Sequence, residues 1–173
     1  LQGNYSKKFD KFPWIKNPKL LTAWKKGLTG YPIVDAGMRE LYSTGWMHNR
    51  VRMIVGSFLV KHLLIHWIEG EKHFRKCLLD YNEANNISGW QWVAGCGADA
   101  APYFRIFNPI LQGEKFDKDG DYVKKWVPEL RKVPKKFIHK PWEINDENIL
   151  MLNKDYPSPC LLYTSDAADD DRG

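Results

Sequence analysis

The stretch that decides the fold is Gly45-Trp46-Met47-His48-Asn49-Arg50-Val51-Arg52-Met53-Ile54-Val55-Gly56-Ser57-Phe58-Leu59-Val60-Lys61-His62-Leu63-Leu64-Ile65-His66-Trp67. From Trp46 onward it holds no proline and one glycine, and its apolar residues spread well beyond a single stripe. That pattern predicts one long helix from Trp46 to about Trp67, buried on most sides. Polar and cationic groups enter its first turns, where burying them without partners would be costly. At helical spacing Arg50 and Arg52 point about 200° apart; Trp46, Arg50 and Met53 share one side, His48 and Arg52 another. One guanidinium can then face an external anion while the other faces an internal one. Two surface arginines paired with local carboxylates satisfy the same spacing.

Working outward, the first 30 residues are rich in Lys, Pro and Trp and read as a short helix or two joined by loops. Pro32 suits the first turn of a helix running to about Tyr42, with Val34, Met38 and Leu41 on one face, ended by Ser43-Thr44-Gly45. Toward the C-terminus, Gly70 is expected to break the long helix. Glu71 to Leu79 then reads as an amphipathic helix with Phe74, Cys77 and Leu78 inward. Asn82 to Gly89 reads as a polar loop, and Trp90-Gln91-Trp92 opens a segment that runs out at Gly95-Cys96-Gly97. Pro102 and Pro109 mark turns around an aromatic cluster, and short helices follow near Ile110 to Phe116 and Asp121 to Val127. With no strand pairs and no internal repeat, the fold class is all-α.

A chain of 173 residues, 43% hydrophobic and 27% charged, is long enough for one domain with a real core and no staples. The longest apolar stretch, Met53 to Val60, stops at Lys61, too short for a membrane span, and Leu1-Gln2-Gly3-Asn4 has no signal-peptide character. Cysteines 77, 96 and 160 contain no Cys-x-x-Cys pair, so neither a disulfide framework nor a zinc site is expected. A reducing compartment is the simpler setting: the cytoplasm, or the nucleoid or nucleus. Eight Trp, eight Tyr and eight Phe are unusual, although rings filling a helical core account for any one of them.

From Cys160 onward the sequence turns small and acidic, resembles the translated read-through of a sequencing adapter, and is expected to be a disordered, non-native tail. Residues 1–159 are the candidate domain. The tail's four Asp and one Arg carry −3 of the overall +5, which leaves +8 on residues 1–159. Lysine and arginine doublets at 7–8, 25–26, 124–125, 131–132 and 135–136 interleave with aromatics, which suits a polyanion partner or merely a solvated surface. Two motifs mislead. Gly95-Cys96-Gly97-Ala98-Asp99-Ala100 matches a loose dinucleotide fingerprint but lacks the flanking strand and helix. Asp117-Lys118-Asp119-Gly120-Asp121 has a calcium loop's acids with the glycine misplaced and no closing glutamate, and reads as a polar turn.

Longer words carry a family resemblance: Thr29-Gly30-Tyr31-Pro32-Ile33-Val34-Asp35-Ala36, then Thr44 to Met53, then Asn86 with Trp90-Gln91-Trp92, then Asp99 to Pro109. Between about Phe12 and Trp142 the chain resembles the C-terminal, FAD-binding half of the DNA photolyase/cryptochrome family, specifically class I cyclobutane pyrimidine dimer photolyases. The resemblance implies a helical FAD-binding domain, part of a carbon-carbon lyase. In it, excited reduced FAD passes an electron to a flipped-out dimer and the electron returns after the ring splits. The alternative it leaves is a cryptochrome-like blue-light receptor without repair.

The resemblance also places residues. Arg52 and Asp80 match an ion pair beside the flavin ring, and Asp80, Tyr81 and Asn82 lie on a cofactor-contacting segment, with Asn82 standing where an acid is usual. Asn86 matches the residue near the flavin's reactive nitrogen, and Asn49 too is placed among the cofactor-binding residues. Asn49 and Met53, with the intervening Arg50, Val51 and Arg52, match the lesion and DNA side, together with Trp92 as an aromatic wall and Arg105 as a second phosphate-binding arginine. Trp90, Trp67 and Trp14 match an electron-transfer triad. The expected cofactor is FAD and the partner is DNA containing pyrimidine dimers; no metal, no membrane and a monomer are expected. Relative to the family the chain lacks an N-terminal antenna domain, which would hold the antenna chromophore, and a Thr-Ser-rich phosphate loop. Weak retention of FAD is the expectation that follows.

Overall fold

Pro32 to Leu41 form the centre of the molecule because nearly every side chain in that run is buried. The structure is a computed structural model, and it describes residues 12–95, 106–147 and 154–161. Seven α-helices are present among the described residues: α1 Pro18–Lys26, α2 Pro32–Thr44, α3 Asn49–Ser57, α4 Trp67–Cys77, α5 Glu83–Ala94, α6 Pro109–Phe116 and α7 Asp121–Trp126. Short 3-10 turns at Pro128–Leu130, Lys135–Phe137 and Pro141–Glu143 follow, and no strand occurs among the described residues. Helix α2 packs against α1, α3, α6 and α7, and α5 packs across α3 and α4. The all-α expectation holds.

Four features depart from the sequence reading of the helices. The long helix begins later, because the His48 side chain caps α3 by accepting from the Arg50 backbone N–H at 3.1 Å. It also ends earlier: Phe58–His62 widens into a π-helical turn, Leu64 adopts φ 54°, and α4 starts afresh with His66 as its cap, Nδ1 accepting from Ile68 N at 3.1 Å. No glycine or proline marks this break. Gly70, by contrast, breaks nothing and lies inside α4. A Cβ there would sit 2.2 Å from the Trp90 ring, so the glycine is kept for helix-to-helix approach. Finally, Asn82 to Gly89 is helix rather than loop: Asn82 Oδ1 accepts from Asn85 N at 3.0 Å and starts α5.

The interior also holds a well-partnered carboxylate. Asp35, fully buried, accepts from Thr29 N (2.8 Å), Thr29 Oγ1 (2.6 Å), Gly30 N (3.0 Å) and the Tyr156 hydroxyl. The first two residues of the acidic tail are packed: Cys160 N donates to Thr29 O at 2.8 Å, and Tyr31 OH donates to Leu161 O at 2.7 Å. Asp117 confirms the polar-turn reading, its carboxylate accepting from Tyr122 N and Val123 N at 3.0 Å each to start α7. Residues 96–100 of the dinucleotide-like motif lie outside the described residues.

Two predictions follow from this packing. Gly70→Ala gains about 1 kcal/mol of helix propensity but overpacks against Trp90 at about 1–3 kcal/mol, so it lowers the urea midpoint. Burial holds both His62 and His73 down to about 4, with Lys25 and Lys76 adding to the effect at His73, and burial pushes Asp35 up to about 6 against its hydrogen bonds. Between about pH 6.5 and 4 the unfolded chain takes up protons at these two histidines that the folded chain refuses, and His139, lowered by burial, acts in the same sense; Asp35 and Glu40, both raised by burial, act in the opposite sense. Stability therefore falls as pH drops through that window, and denaturation at about pH 7 and about pH 4.5 reads it.

Candidate active site

Helices α3, α4 and α5 leave between them a cavity of about 410 Å³, a size in the range of small-molecule sites. Its α3 side is Asn49, Arg52, Met53 and Gly56; its α5 side is Asn85, Asn86, Gly89, Trp90 and Val93. Phe74 and Leu78 close it from α4 and the residue after it, and Asp80, Tyr81 and Asn82 come from the link into α5. The spacing on α5 is helical, so the polar first turn and the aromatic third turn fall on one face.

The charged wall is an ion pair. Arg52 Nη2 donates to Asp80 Oδ2 at 2.9 Å and to Oδ1 at 3.2 Å, and Arg52 Nε donates to Met47 O at 2.6 Å. The guanidinium is thus fixed from two sides while its side chain stays 24% exposed. Nearby, the nearly buried Glu71 gathers donors on Oε1: Arg75 at 2.9 and 3.1 Å, Tyr81 OH at 3.1 Å and, at longer range, Asn86 Nδ2 at 3.5 Å. Desolvation first, and then this hydrogen bond to Glu71, raises the Tyr81 hydroxyl above its ordinary value. Asn86 Nδ2 also lies 3.5 Å from Glu71 O. Both neighbours only accept, so the amide turns its NH₂ toward them.

Trp24, Trp67 and Trp90 are buried and Trp14 is half-buried. Trp90 packs on Phe74 with centroids 4.9 Å apart and on Trp24 at 6.0 Å, and its Nε1 is buried with no hydrogen-bond partner among the described residues. Its ring covers Gly70, one turn from Trp67 on α4. The His66 ring stands between Trp67 (5.7 Å) and Trp14 (4.9 Å). Trp24 Nε1 donates to Val55 O at 3.0 Å.

On the mouth side Asn49 Nδ2 lies 3.9 Å from Met53 Sδ, one turn apart. Arg50 points elsewhere, its guanidinium carbon 4.7 Å above the Phe116 ring. Val51 does not reach the cavity: it faces α2, where a Cβ on Gly37 would lie 2.5 Å from its Cγ1. Trp92 is half-buried and does not line the cavity, being two residues from Trp90 and so nearly opposite on α5. Arg105 lies outside the described residues. Gly56, Phe74, Leu78, Asn85, Gly89 and Val93 were missed; the signal for those on α5 was their i, i+3, i+4 spacing from Asn82, hidden by reading a loop there. No group of three or more metal-ligating side chains is gathered among the described residues. No helix among them is long and apolar enough to cross a membrane.

The family model described as the FAD binding domain of DNA photolyase matches residues 1–169. The chain is 59% identical over 164 residues to a deoxyribodipyrimidine photo-lyase of Agrobacterium fabrum, covering 92% of this chain and 34% of that protein. Against the Escherichia coli deoxyribodipyrimidine photo-lyase it is 58% identical over 154 residues, covering 89% and 32%. Its fold is similar to that of a bacterial class III photolyase from Agrobacterium tumefaciens, with TM-score 0.88, 57% identity and coverage of 92% of this chain and 34% of that one. It is similar too to a Synechocystis sp. PCC6803 cryptochrome, with TM-score 0.82, 41% identity and coverage of 88% and 32%. The likeness thus reaches the photolyase family broadly rather than class I alone, and the chain spans about a third of the length of these relatives. A helical domain with this cavity, matched along nearly its whole length, belongs to the family of DNA photolyase FAD-binding domains.

Proposed function

We propose that the chain is part of an enzyme that uses FAD and light to repair cyclobutane pyrimidine dimers in DNA. The observation that carries the reading is the cavity shared by α3 and α5, which sets the Arg52–Asp80 pair, the Asn86 amide and the Trp90 ring around one space. These residues fit a flat ring with a polar edge. A side chain at Gly89 would meet nothing within 4 Å, Gly56 leaves the opposite wall low, and the buried Trp90 Nε1 still has a bond to give. FAD bound there supplies light absorption and one-electron chemistry.

The chain's own part is positioning and charge. Arg52, held by Met47 O and Asp80, keeps a fixed positive charge beside the space and favours an anionic ring edge. Asn86, its NH₂ turned to Glu71, leaves its carbonyl oxygen as the acceptor on offer. Tyr81 is tied to Glu71, and Asn82 is spent on capping α5. Trp90, Trp67 and Trp14 are assigned electron carriage, since the Trp90 ring covers Gly70, one turn from Trp67 on α4, and Trp67 and Trp14 flank one imidazole. Asn49 and Met53 at the mouth face the flipped lesion, with Trp92 and Arg105 assigned to the same side; Arg50 takes the DNA backbone.

Asp80→Asn separates function from stability. An ion pair with one side chain half exposed contributes at most about 1 kcal/mol, so the denaturation free energy stays within that margin. FAD affinity, read by flavin fluorescence, falls about tenfold. Replacing the matching third of the Agrobacterium fabrum photo-lyase by this chain preserves light-dependent dimer removal. A chimera that holds FAD and DNA but leaves dimers intact under light would overturn the repair reading and favour the cryptochrome-like alternative, cryptochrome being the word carried by the Synechocystis neighbour.

A further inference from the structure

Asn85 stands on the cavity face of α5, where residues 82, 85, 86, 89, 90 and 93 recur at helical spacing and all line the space. Each of the other amide, hydroxyl and charged side chains on the wall already has a partner. Arg52 and Asp80 hold each other, the Tyr81 hydroxyl donates to Glu71, and Asn82 Oδ1 caps α5. The Asn86 NH₂ turns to Glu71, and Asn49 Nδ2 rests on Met53 Sδ. The Asn85 side chain bonds to no described residue; only its backbone N–H is engaged, by Asn82 Oδ1 at 3.0 Å. We propose that Asn85 is a further ligand-binding residue of this cavity: its carboxamide reads a heteroaromatic edge that sets an N–H donor beside an acceptor atom. The inference rests on the FAD reading given above, and it gives a role to a residue that neither the motifs nor the resemblance singled out.

A primary carboxamide offers two donors and an acceptor in one plane without carrying charge. Against an edge with one donor and one acceptor it closes two parallel bonds, the way an asparagine reads adenine. FAD carries two edges of this kind, the amino edge of its adenine and the imide edge of its flavin ring. Room for either lies beside Asn85. One turn on, a Cβ on Gly89 would meet nothing within 4 Å, so a flat group can lie along α5 there and reach residue 85 with its rim. The stem of the amide is fixed, because Asn85 N and Asn86 N both bond to Asn82, at 3.0 and 2.8 Å. Asn85 is exposed, so before binding its amide faces water, and bonds to a ligand replace bonds to water at a modest net gain. Selectivity is the larger effect: an edge with two acceptors leaves a polar atom unmatched once the ligand covers it, which costs more than a made bond returns.

The test titrates FAD, riboflavin and ADP into the full chain and into its chimera with the Agrobacterium fabrum photo-lyase, by calorimetry and by the NMR signal of the Asn85 side-chain amide. Asn85→Ala is expected to weaken FAD binding about tenfold, the worth of two modest hydrogen bonds, and Asn85→Leu, nearer in shape, to weaken it as much. Neither variant is expected to lower the urea midpoint, since the replaced side chain holds no other residue and both substitutes favour helix more than Asn. A loss shared by riboflavin but not ADP assigns the imide edge; a loss shared by ADP but not riboflavin assigns adenine. In the parent, the amide signal moves with the fragment that carries the edge. Affinity restored by Asn85→Leu, affinity untouched by both variants while Asp80→Asn weakens it, or an amide signal that no ligand moves would each overturn the inference and leave the FAD reading standing. If neither the chain nor the chimera takes up FAD, the FAD reading fails, and the inference with it.

Discussion

The approach of α5 to α4 is the constraint on which the site depends. It is set by an indole lying where a side chain at residue 70 would be. Because Trp90 sinks onto Gly70, its neighbours on the same face of α5 are carried to the cavity wall, with Asn86 one turn earlier and Val93 nearly one turn later. The same contact fixes how far α5 stands from α3 and so how wide the space between Arg52 and Asn86 can be. Trp24 and Phe74 pack around the indole and hold it there. A methyl group at residue 70 would push on all of these at once.

The fold class was legible because the apolar runs are long and the strand signals are missing, yet the boundaries were not. Gly70 looks like a helix breaker in a string of letters, and only the ring opposite explains it. Asn82 to Asn86 looks like a loop because its polar side chains serve a cap and a cavity rather than a core. The stop at Leu64 carries no mark at all: a leucine in a left-handed conformation is held by tertiary structure, with Ile15 N bonded to its carbonyl oxygen at 2.8 Å. Each failure is a place where a distant segment overrides the local preference.

The site divides in the same way. Arg52 and Asp80 stand 28 residues apart, and no periodicity joins them; the family resemblance did, and the 2.9 Å contact agrees with it. Helical spacing correctly separated Arg50 from Arg52, sending one toward Phe116 and the other toward the cavity. It could not tell that Val51 packs on Gly37, because a half-buried valine reads alike on either side of a helix. Phe116 carried no signal, since its partner comes from another helix far back in the chain.

Asp35 lends the fold an order of assembly. Three of the donors that surround its carboxylate come from Thr29 and Gly30, a few residues away, but the fourth is Tyr156, 121 positions later. As the polypeptide leaves the ribosome, the central helix can form long before that hydroxyl exists, so until then the acid must keep water in its place or stay open to it. The surroundings of the central helix are thereby denied a fully dry interior until Tyr156 arrives to close them.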